Sequence, residues 1–297
     1  MRTPDFFIVG APRCGTTALF GYLEQHPDIR LASLKEPHFF GSDTLYARRP
    51  TLDEYLNLFP ATASEKRIGE ASTSYLLSKN AATEIRAFCP TARIIAMIRD
   101  PVETMYSVHS MLLYYCNEDI IDFAEALGAE DDRLKGRRIP ANAHIIDYLF
   151  YRRSVRFSDQ IQRYFDAFGR ERVKVVVFDD FRASTQTVYR EVLEFLGVDI
   201  EFKPSFQVVN HNRAARSLWL QRLVLDRRTM NLRRKIRPRS LDHFVFGNLR
   251  RVNTSSKPRA PMDPALRRTL QHELAPEVER LSILLDRDLT MWSKKTL

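Results

Sequence analysis

Three groups of residues in this 297-residue chain carry types and spacings that could do chemistry. The first is Gly10-Ala11-Pro12-Arg13-Cys14-Gly15-Thr16-Thr17. Backbone N–H groups in such a turn, with a helix start behind them, form a cradle for an anion. The two glycines and Thr17 fit the pattern G-x-x-x-x-G-K-[ST], but Thr16 stands at the lysine position. Without that lysine, a triphosphate enzyme lacks its main cation on the β and γ phosphates. The loop therefore suits a phosphate-like group rather than a magnesium triphosphate, with its cation moved to Arg13. The second group is Arg99-Asp100-Pro101, with Ser107 two turns along a helix that Pro101 can start. An Arg and a Ser so placed could hold another phosphate, although an Arg-Asp pair at a strand end also serves as a structural ion pair. The third group is Lys35-Glu36-Pro37-His38-Phe39-Phe40. Pro37 disfavours helical backbone at Glu36, and in an extended stretch positions two apart face one side. Glu36 and His38 are thus expected to share a cleft. A carboxylate beside aromatic rings can be tuned toward general-base work; the plainer alternative is an exposed Glu and a capping His.

These residues need a frame. Phe6 to Val9 is a short apolar run bounded by Pro4 and Gly10, and reads as a buried strand. A helix is expected from Thr16 to about Gln25, with Leu19, Tyr22 and Leu23 on one face and His26-Pro27 ending it. Arg93 to Ile98 and Val173 to Phe178 read as two further buried strands, separated by helical stretches that include Ser154 to Phe168. Alternating strands and helices imply βα units on a parallel sheet. Leu266, Leu270, Leu274, Val278 and Leu281 recur at helical spacing, which predicts an amphipathic packing helix over 263–285. No internal repeat stands out.

Charge is unevenly placed. The chain has 46 Lys and Arg against 37 Asp and Glu, net +9. The stretch 213–259 alone has fourteen Arg and Lys against Asp226 and Asp242, leaving the other 250 residues at net −3. That stretch reads as an irregular basic segment, a surface for an anionic partner or simply a solvated face. Three cysteines without repeated spacing argue against a disulfide framework or zinc site and suit a reducing, cytoplasmic setting. The opening apolar run of four residues is too short for a signal-peptide core, and no stretch approaches a membrane span.

Taken together, the motifs resemble the sulfotransferases that use 3′-phosphoadenosine 5′-phosphosulfate (PAPS), in the branch of the heparan sulfate sulfotransferases and bacterial sulfotransferase-domain proteins. FFIVGAPRCGTTALFGYLEQHPDI looks like that family's 5′-phosphosulfate loop and helix, and RIIAMIRDPVETMYSVH like its 3′-phosphate strand, loop and helix. KEPHFF, GEASTSYL (69–76), VVVFDDF (175–181) and LLDRDLTMW (284–292) are also similar to family signatures. The resemblance runs from Phe6 to Trp292 and implies one sulfotransferase domain over 1–297. It implies a three-layer α/β fold with a central parallel sheet flanked by helices, and no metal. It further implies PAPS as donor and 3′-phosphoadenosine 5′-phosphate (PAP) as product. Carried over by residue, Arg13, Cys14, Gly15, Thr16 and Thr17 would hold the phosphosulfate, and Arg99 and Ser107 the 3′-phosphate. Glu36 would be the base, assisted by His38, while Asn210 and Arg216 would close over the cofactor. The acceptor would be a hydroxyl on a sugar, lipid or small natural product.

Two positions depart from the family. Arg13 replaces the usual lysine; it keeps the charge but cannot readily release a proton, so it would act electrostatically. Ala71 stands where the glycosaminoglycan enzymes carry lysine, and Glu70 beside it is a second carboxylate for the cleft. Residues 111–155 are expected near the acceptor, with Tyr114, Tyr115, His144 and Tyr148 as candidates alongside core roles. Two rival readings differ in class. In a P-loop kinase or NTPase, Asp179-Asp180 after the third strand would hold magnesium. In a basic nucleic-acid or membrane-surface module, the segment 213–259 would make the contact, although no zinc-finger or RNP-like motif accompanies it.

Overall fold

The computed structural model describes residues 3–44, 49–59, 64–207, 214–225, 247–255 and 259–294. They fall into two compact units, residues 1–104, 155–209 and 270–297 in one, and 105–154 and 210–269 in the other.

The first unit is built on five parallel strands: β1 (Phe6–Gly10), β2 (Ile29–Leu31), β3 (Arg67–Ala71), β4 (Arg93–Ile98) and β5 (Val173–Val177), in the order β2-β3-β1-β4-β5. Near-continuous apolar runs suit strands covered on both faces, and every residue of β1 is buried. Phe6 pairs with Gly69 of β3, and a Cβ on Gly69 would lie 2.3 Å from the Phe6 ring. The glycine of the GEAS motif is therefore where the ring packs. The helices Thr16–Leu23, Ala81–Phe88, Phe157–Phe168 and Thr185–Leu196 belong to this unit. The expected strands and the final helix are present, the latter as Pro264–Leu285 with Leu270, Leu274, Val278 and Leu281 buried. The strands β2 and β3 lie outside the strand predictions; each is short, and β3 reads Arg-Ile-Gly-Glu-Ala, with no apolar run to mark it.

The sheet order has a consequence for ligands. The chain leaves β1 toward β2 and leaves β4 toward β5, in opposite directions along the sheet. A crevice opens at the carboxyl ends of neighbouring strands whose connections diverge in this way. Both phosphate motifs of the sequence follow those two strands.

The second unit contains most of helix Pro101–Tyr114 and centres on a buried ion pair. Arg133 donates to both oxygens of Glu118 at 2.8 Å, and neither side chain is exposed. The remaining polar atoms are well supplied: Tyr151 donates to Glu118 at 2.6 Å, and Arg133 also donates to the carbonyls of Leu149 and Arg138. Such satisfaction is what makes a buried pair tolerable. In the basic segment, the described parts are ordered elements rather than irregular chain: helix Leu218–Leu225, a helix over 247–253, and a two-stranded antiparallel ribbon of β6 (Ala214–Ala215) with β7 (Thr254–Ser255). Asn253 ties them together, its amide donating to Ser217 O and to Gln221 Oε1, both at 2.9 Å. The rest of that segment, including Arg227, Arg228 and the cluster over 233–239, lies outside the described residues.

Candidate active site

The loop after β1 is held tightly to the sheet. Ala11 donates to the Met97 carbonyl of β4 at 2.5 Å, and a Cβ on Gly10 would lie 2.6 Å from Leu76 Cβ. Only glycine fits there. Gly15 caps helix Thr16–Leu23 with φ +91° and provides no side-chain cap to the first N–H groups. A helix start left open in this way is a site for an anion. Arg13 lies in the same loop with φ +66°.

Arg99 follows β4. It is mostly buried, donates to Glu103 at 3.3 Å and lies 5.0 Å from the centre of the Phe178 ring. Asp100 accepts from the N–H groups of Val102 and Glu103, capping the helix that Pro101 opens. So the Arg-Asp dipeptide splits its labour, with the Asp fixing the helix start and leaving the Arg to project from the strand end. The fields of Arg99 and Arg13 both reach the Cys14 thiol, where they oppose the burial that pushes its pKa up to about 12. Arg13 and Arg99 thus follow the carboxyl ends of the neighbouring strands β1 and β4. Cys14 itself is not a ligand by its side chain: the thiol is fully buried and contacts Thr104. Thr16 is likewise buried, and Thr17 is half-buried. Ser107 is buried on its helix.

Glu36 and His38 come together as expected, but by a different backbone. The prediction of an extended stretch is wrong: Glu36 has φ +62° and His38 φ +53°, both left-handed. The end of β3 imposes this, because Glu36 donates its N–H to the Ala71 carbonyl and His38 donates its N–H to Ser72 Oγ. The Glu36 carboxylate accepts from Thr73 N at 2.8 Å and from Thr73 Oγ1, pairs with Lys35, and lies 3.6 Å from His38 Nε2. His38 Nδ1 lies 3.0 Å from Ser74 Oγ. Burial pulls the His38 pKa down from 6.5 to about 4, against the raising effect of Glu36. With the imidazole neutral, Lys35 is the cation paired with Glu36.

Glu70 is not a cleft carboxylate. It is 0% exposed and takes hydrogen bonds from Tyr55, Tyr75 and Ser72 at 2.8–2.9 Å. Burial pushes its pKa up to about 7. Lys35, Ser72, Thr73 and Ser74 adjoin the site; they stand within KEPHFF and GEASTSYL, but the sequence alone assigned them no role. The run of hydroxyl residues in Ala71-Ser72-Thr73-Ser74 was the available signal, with β3 delivering them to the same edge as Glu36.

Other candidates are placed less centrally. Asn210 lies outside the described residues. Arg216, in the second unit, is exposed and donates its backbone N–H to the Asn253 carbonyl at 2.7 Å. Tyr114 and Tyr148 are buried core side chains, whereas Tyr115 and His144 are exposed. The magnesium role proposed for Asp179 and Asp180 is not supported by their contacts: Asp179 accepts the Trp292 indole N–H at 3.0 Å, and Asp180 forms a two-pronged ion pair with Arg287. Among the described residues, no group of three or more His, Cys, Asp or Glu is placed to share a metal ion. No described helix is long and apolar enough to cross a membrane.

A five-stranded parallel sheet with an open anion loop after its first strand defines an α/β protein of the P-loop type. The family-model match is narrower: the model of the Sulfotransferase domain family covers residues 3–221. The chain belongs to the sulfotransferase family. A crystal structure of a sulfotransferase from Alicyclobacillus acidocaldarius superposes with a TM-score of 0.74 at 30% identity, covering 98% of this chain and 99% of that one. Human carbohydrate sulfotransferase 15 is 34% identical over 168 residues, 41% of this chain and 29% of that protein. Human heparan sulfate glucosamine 3-O-sulfotransferase 6 is 32% identical over 151 residues, 50% of this chain and 43% of that protein. The match thus spans less than half the length of these two relatives.

Proposed function

We propose that the protein transfers a sulfuryl group from PAPS to a hydroxyl of a carbohydrate acceptor and releases PAP. The observation that carries this reading is convergence. Arg13 after β1, Arg99 after β4, and Glu36 held by Thr73 after β3 all emerge at the carboxyl edge of three adjacent parallel strands. The donor set also fits a nucleotide with phosphate groups at two positions. Gly10 permits a close backbone approach, the helix start behind Gly15 is uncapped by any side chain, Arg13 lies in the same loop, and Arg99 stands over the Phe178 ring that borders Gly15.

When bound, PAPS supplies an activated sulfuryl group on a phosphate leaving group. Arg13 and the N–H groups of the Gly15–Thr17 turn stabilise negative charge at that phosphate, as oxyanion donors do. Arg99 recognises the 3′-phosphate through charge-assisted contacts. Glu36 takes the proton of the acceptor hydroxyl at its carboxylate. Neutral His38 orients that hydroxyl, and Lys35 balances the charge of the base. Positioning and charge stabilisation, rather than covalent help from the protein, then account for the rate. The names of the two human relatives support a carbohydrate acceptor. The net +12 of the segment 213–259 supports an anionic one, or contact with an anionic membrane surface. Ala71, fully buried, offers no cation of the glycosaminoglycan kind. The three thiols, none in a disulfide, support a cytoplasmic setting.

The test has two stages. Calorimetry should show binding of PAP, and weaker binding of ATP with magnesium. Labelled PAPS with a panel of sulfated and neutral saccharides should then reveal transfer. In that assay Glu36→Gln should bind PAP normally yet lose about 100-fold or more in turnover. Tighter binding of magnesium ATP than of PAP would overturn the donor assignment, and unchanged turnover in the Gln variant would overturn the base.

A further inference from the structure

We propose that Glu70 is a positioning residue for the acceptor side of the site: through Ser72 and Tyr75 it orients the backbone of residues 38–40, and with it Glu36 and His38. This rests on the reading of Glu36 and His38 given above.

Glu70 is an unusual residue to bury completely. A carboxylate that is 0% exposed has no ion-pair partner among the described residues. Burying an acid without a cation is costly, and an apolar side chain of similar size would serve a core better. What Glu70 has instead is three hydroxyl donors. Tyr55 and Tyr75 donate to Oε1, and Ser72 donates to Oε2.

Two of those hydroxyls do a second task. Tyr75 Oη accepts the N–H groups of Phe39 at 2.9 Å and Phe40 at 3.2 Å. Ser72 Oγ accepts the N–H of His38 at 3.2 Å. A hydroxyl has one proton to give and two lone pairs to receive with. In the arrangement observed Glu70 accepts from all three hydroxyls, as its ionised form does, and so engages the single proton of each. The lone pairs are thereby left facing the loop, and three consecutive N–H groups find acceptors. Two further bonds complete the grip, from Glu36 N–H to the Ala71 carbonyl and from Thr73 N–H to the Glu36 carboxylate.

The loop needs this support. Left-handed backbone is costly for a residue with a side chain, and both Glu36 and His38 adopt it. Outside help must therefore hold the conformation. Tyr55 is the internal comparison. Its hydroxyl donates to the same carboxylate oxygen as Tyr75 but, among the described residues, accepts no loop N–H.

The experiment compares Tyr75→Phe, Ser72→Ala and Tyr55→Phe, each keeping the ring or backbone while removing one hydroxyl. Three readouts are taken: amide hydrogen exchange at residues 38–40, PAP affinity by calorimetry, and turnover split into kcat and acceptor KM. For Tyr75→Phe and Ser72→Ala, exchange at residues 38–40 should rise and kcat should fall, each by about tenfold. PAP affinity should stay within about twofold in both, because the donor loop is untouched. Tyr55→Phe should keep kcat within about twofold despite losing a bond to the same buried acid. Equal kcat losses in Tyr55→Phe and Tyr75→Phe, or unchanged exchange at residues 38–40, would overturn the positioning role and leave Glu70 a core residue. Should Tyr75→Phe fail to fold, Ser72→Ala decides by the same readouts. Glu36→Gln is assayed in parallel. Full turnover there overturns the base assignment itself, whereas loss there with wild-type kcat in Ser72→Ala and Tyr75→Phe overturns only the positioning.

Discussion

Glu70 and His38 should impose opposite pH dependences on stability that cancel in the wild-type protein and appear only when one group is removed. Burial raises Glu70 from its ordinary 4.5 to about 7, so the folded protein prefers it protonated. Its contribution to stability is complete below 4.5 and is lost as pH rises through about 7. Burial lowers His38 from 6.5 to about 4, so the folded protein prefers it neutral. Its contribution is complete above 6.5 and is lost as pH falls through about 4. At about 1.4 kcal/mol per pH unit, each displacement is worth about 3 kcal/mol. Between the two ends of this window one group loses what the other gains.

The assay is urea unfolding at a series of pH values across that window, followed by tryptophan fluorescence. The chain has two tryptophans, Trp219 and Trp292. Trp292 is buried in the first unit, and Trp219 is exposed in the second. A Trp219→Phe background therefore makes Trp292 the sole reporter on the unit that holds Glu70 and His38. In that background the wild-type site should show a nearly flat profile from this pair. Glu70→Gln should gain about 3 kcal/mol relative to it on going from the acid to the neutral end, and His38→Asn should lose about as much. Costs that do not depend on pH, such as the altered hydrogen bonds of the introduced amide, cancel in the comparison. A difference between Glu70→Gln and the parent that stays constant across the window would refute the reasoning, because the buried acid would then not be held toward its protonated form.

Two further outcomes follow from the donor side. Arg99→Ala should weaken PAP binding by about 10- to 100-fold while barely changing that of adenosine 5′-monophosphate, since it removes a charge-assisted contact to the 3′-phosphate; calorimetry with both nucleotides checks this, and equal losses would move the 3′ site elsewhere. Gly10→Ala should destabilise the first unit by about 1–3 kcal/mol through overpacking against Leu76 and the Thr73 carbonyl, read as a lower urea midpoint; an unchanged midpoint would mean the loop has room the geometry denies it.

The frame of the donor side was legible because its signals are local. An apolar run, a glycine turn and a helix start lie close together in the stretch from Phe6 to Leu23, and Arg99 directly follows a strand whose apolar run is unbroken from Ile94 to Ile98. The acceptor side was only half legible. Glu36 and His38 could be picked out as titratable groups next to aromatic rings, yet the partners that define them come from the end of β3, far away in sequence. A five-residue strand with glycine and glutamate inside it has neither the period nor the composition of a strand in isolation. Glu70 shows the same limit from the other direction. Its type suggested a catalytic cleft, and its burial, which depends on the packing of Tyr55 and Tyr75, places it behind the cleft instead. The basic segment was visible as a charge imbalance, but the order of its described parts depends on Asn253 and Gln221, which no run of arginines reveals.

Six described residues other than glycine adopt positive φ, and three of them are Arg13, Glu36 and His38. Pro37 would by itself keep Glu36 extended, which is the conformation the sequence predicts. The observed one costs more locally, so it persists because the Ala71 carbonyl and the Ser72 hydroxyl accept N–H groups that only this conformation presents to them. An extended loop would place Glu36 and His38 on one side of a strand-like segment, but would give up the Thr73 bonds that fix the carboxylate. The left-handed loop turns both side chains to the end of β3, next to the strand that carries the anion loop. Local propensity is overridden at the residues the chemistry requires, and the override is built from buried hydroxyls and a buried acid rather than from the charged groups that touch solvent.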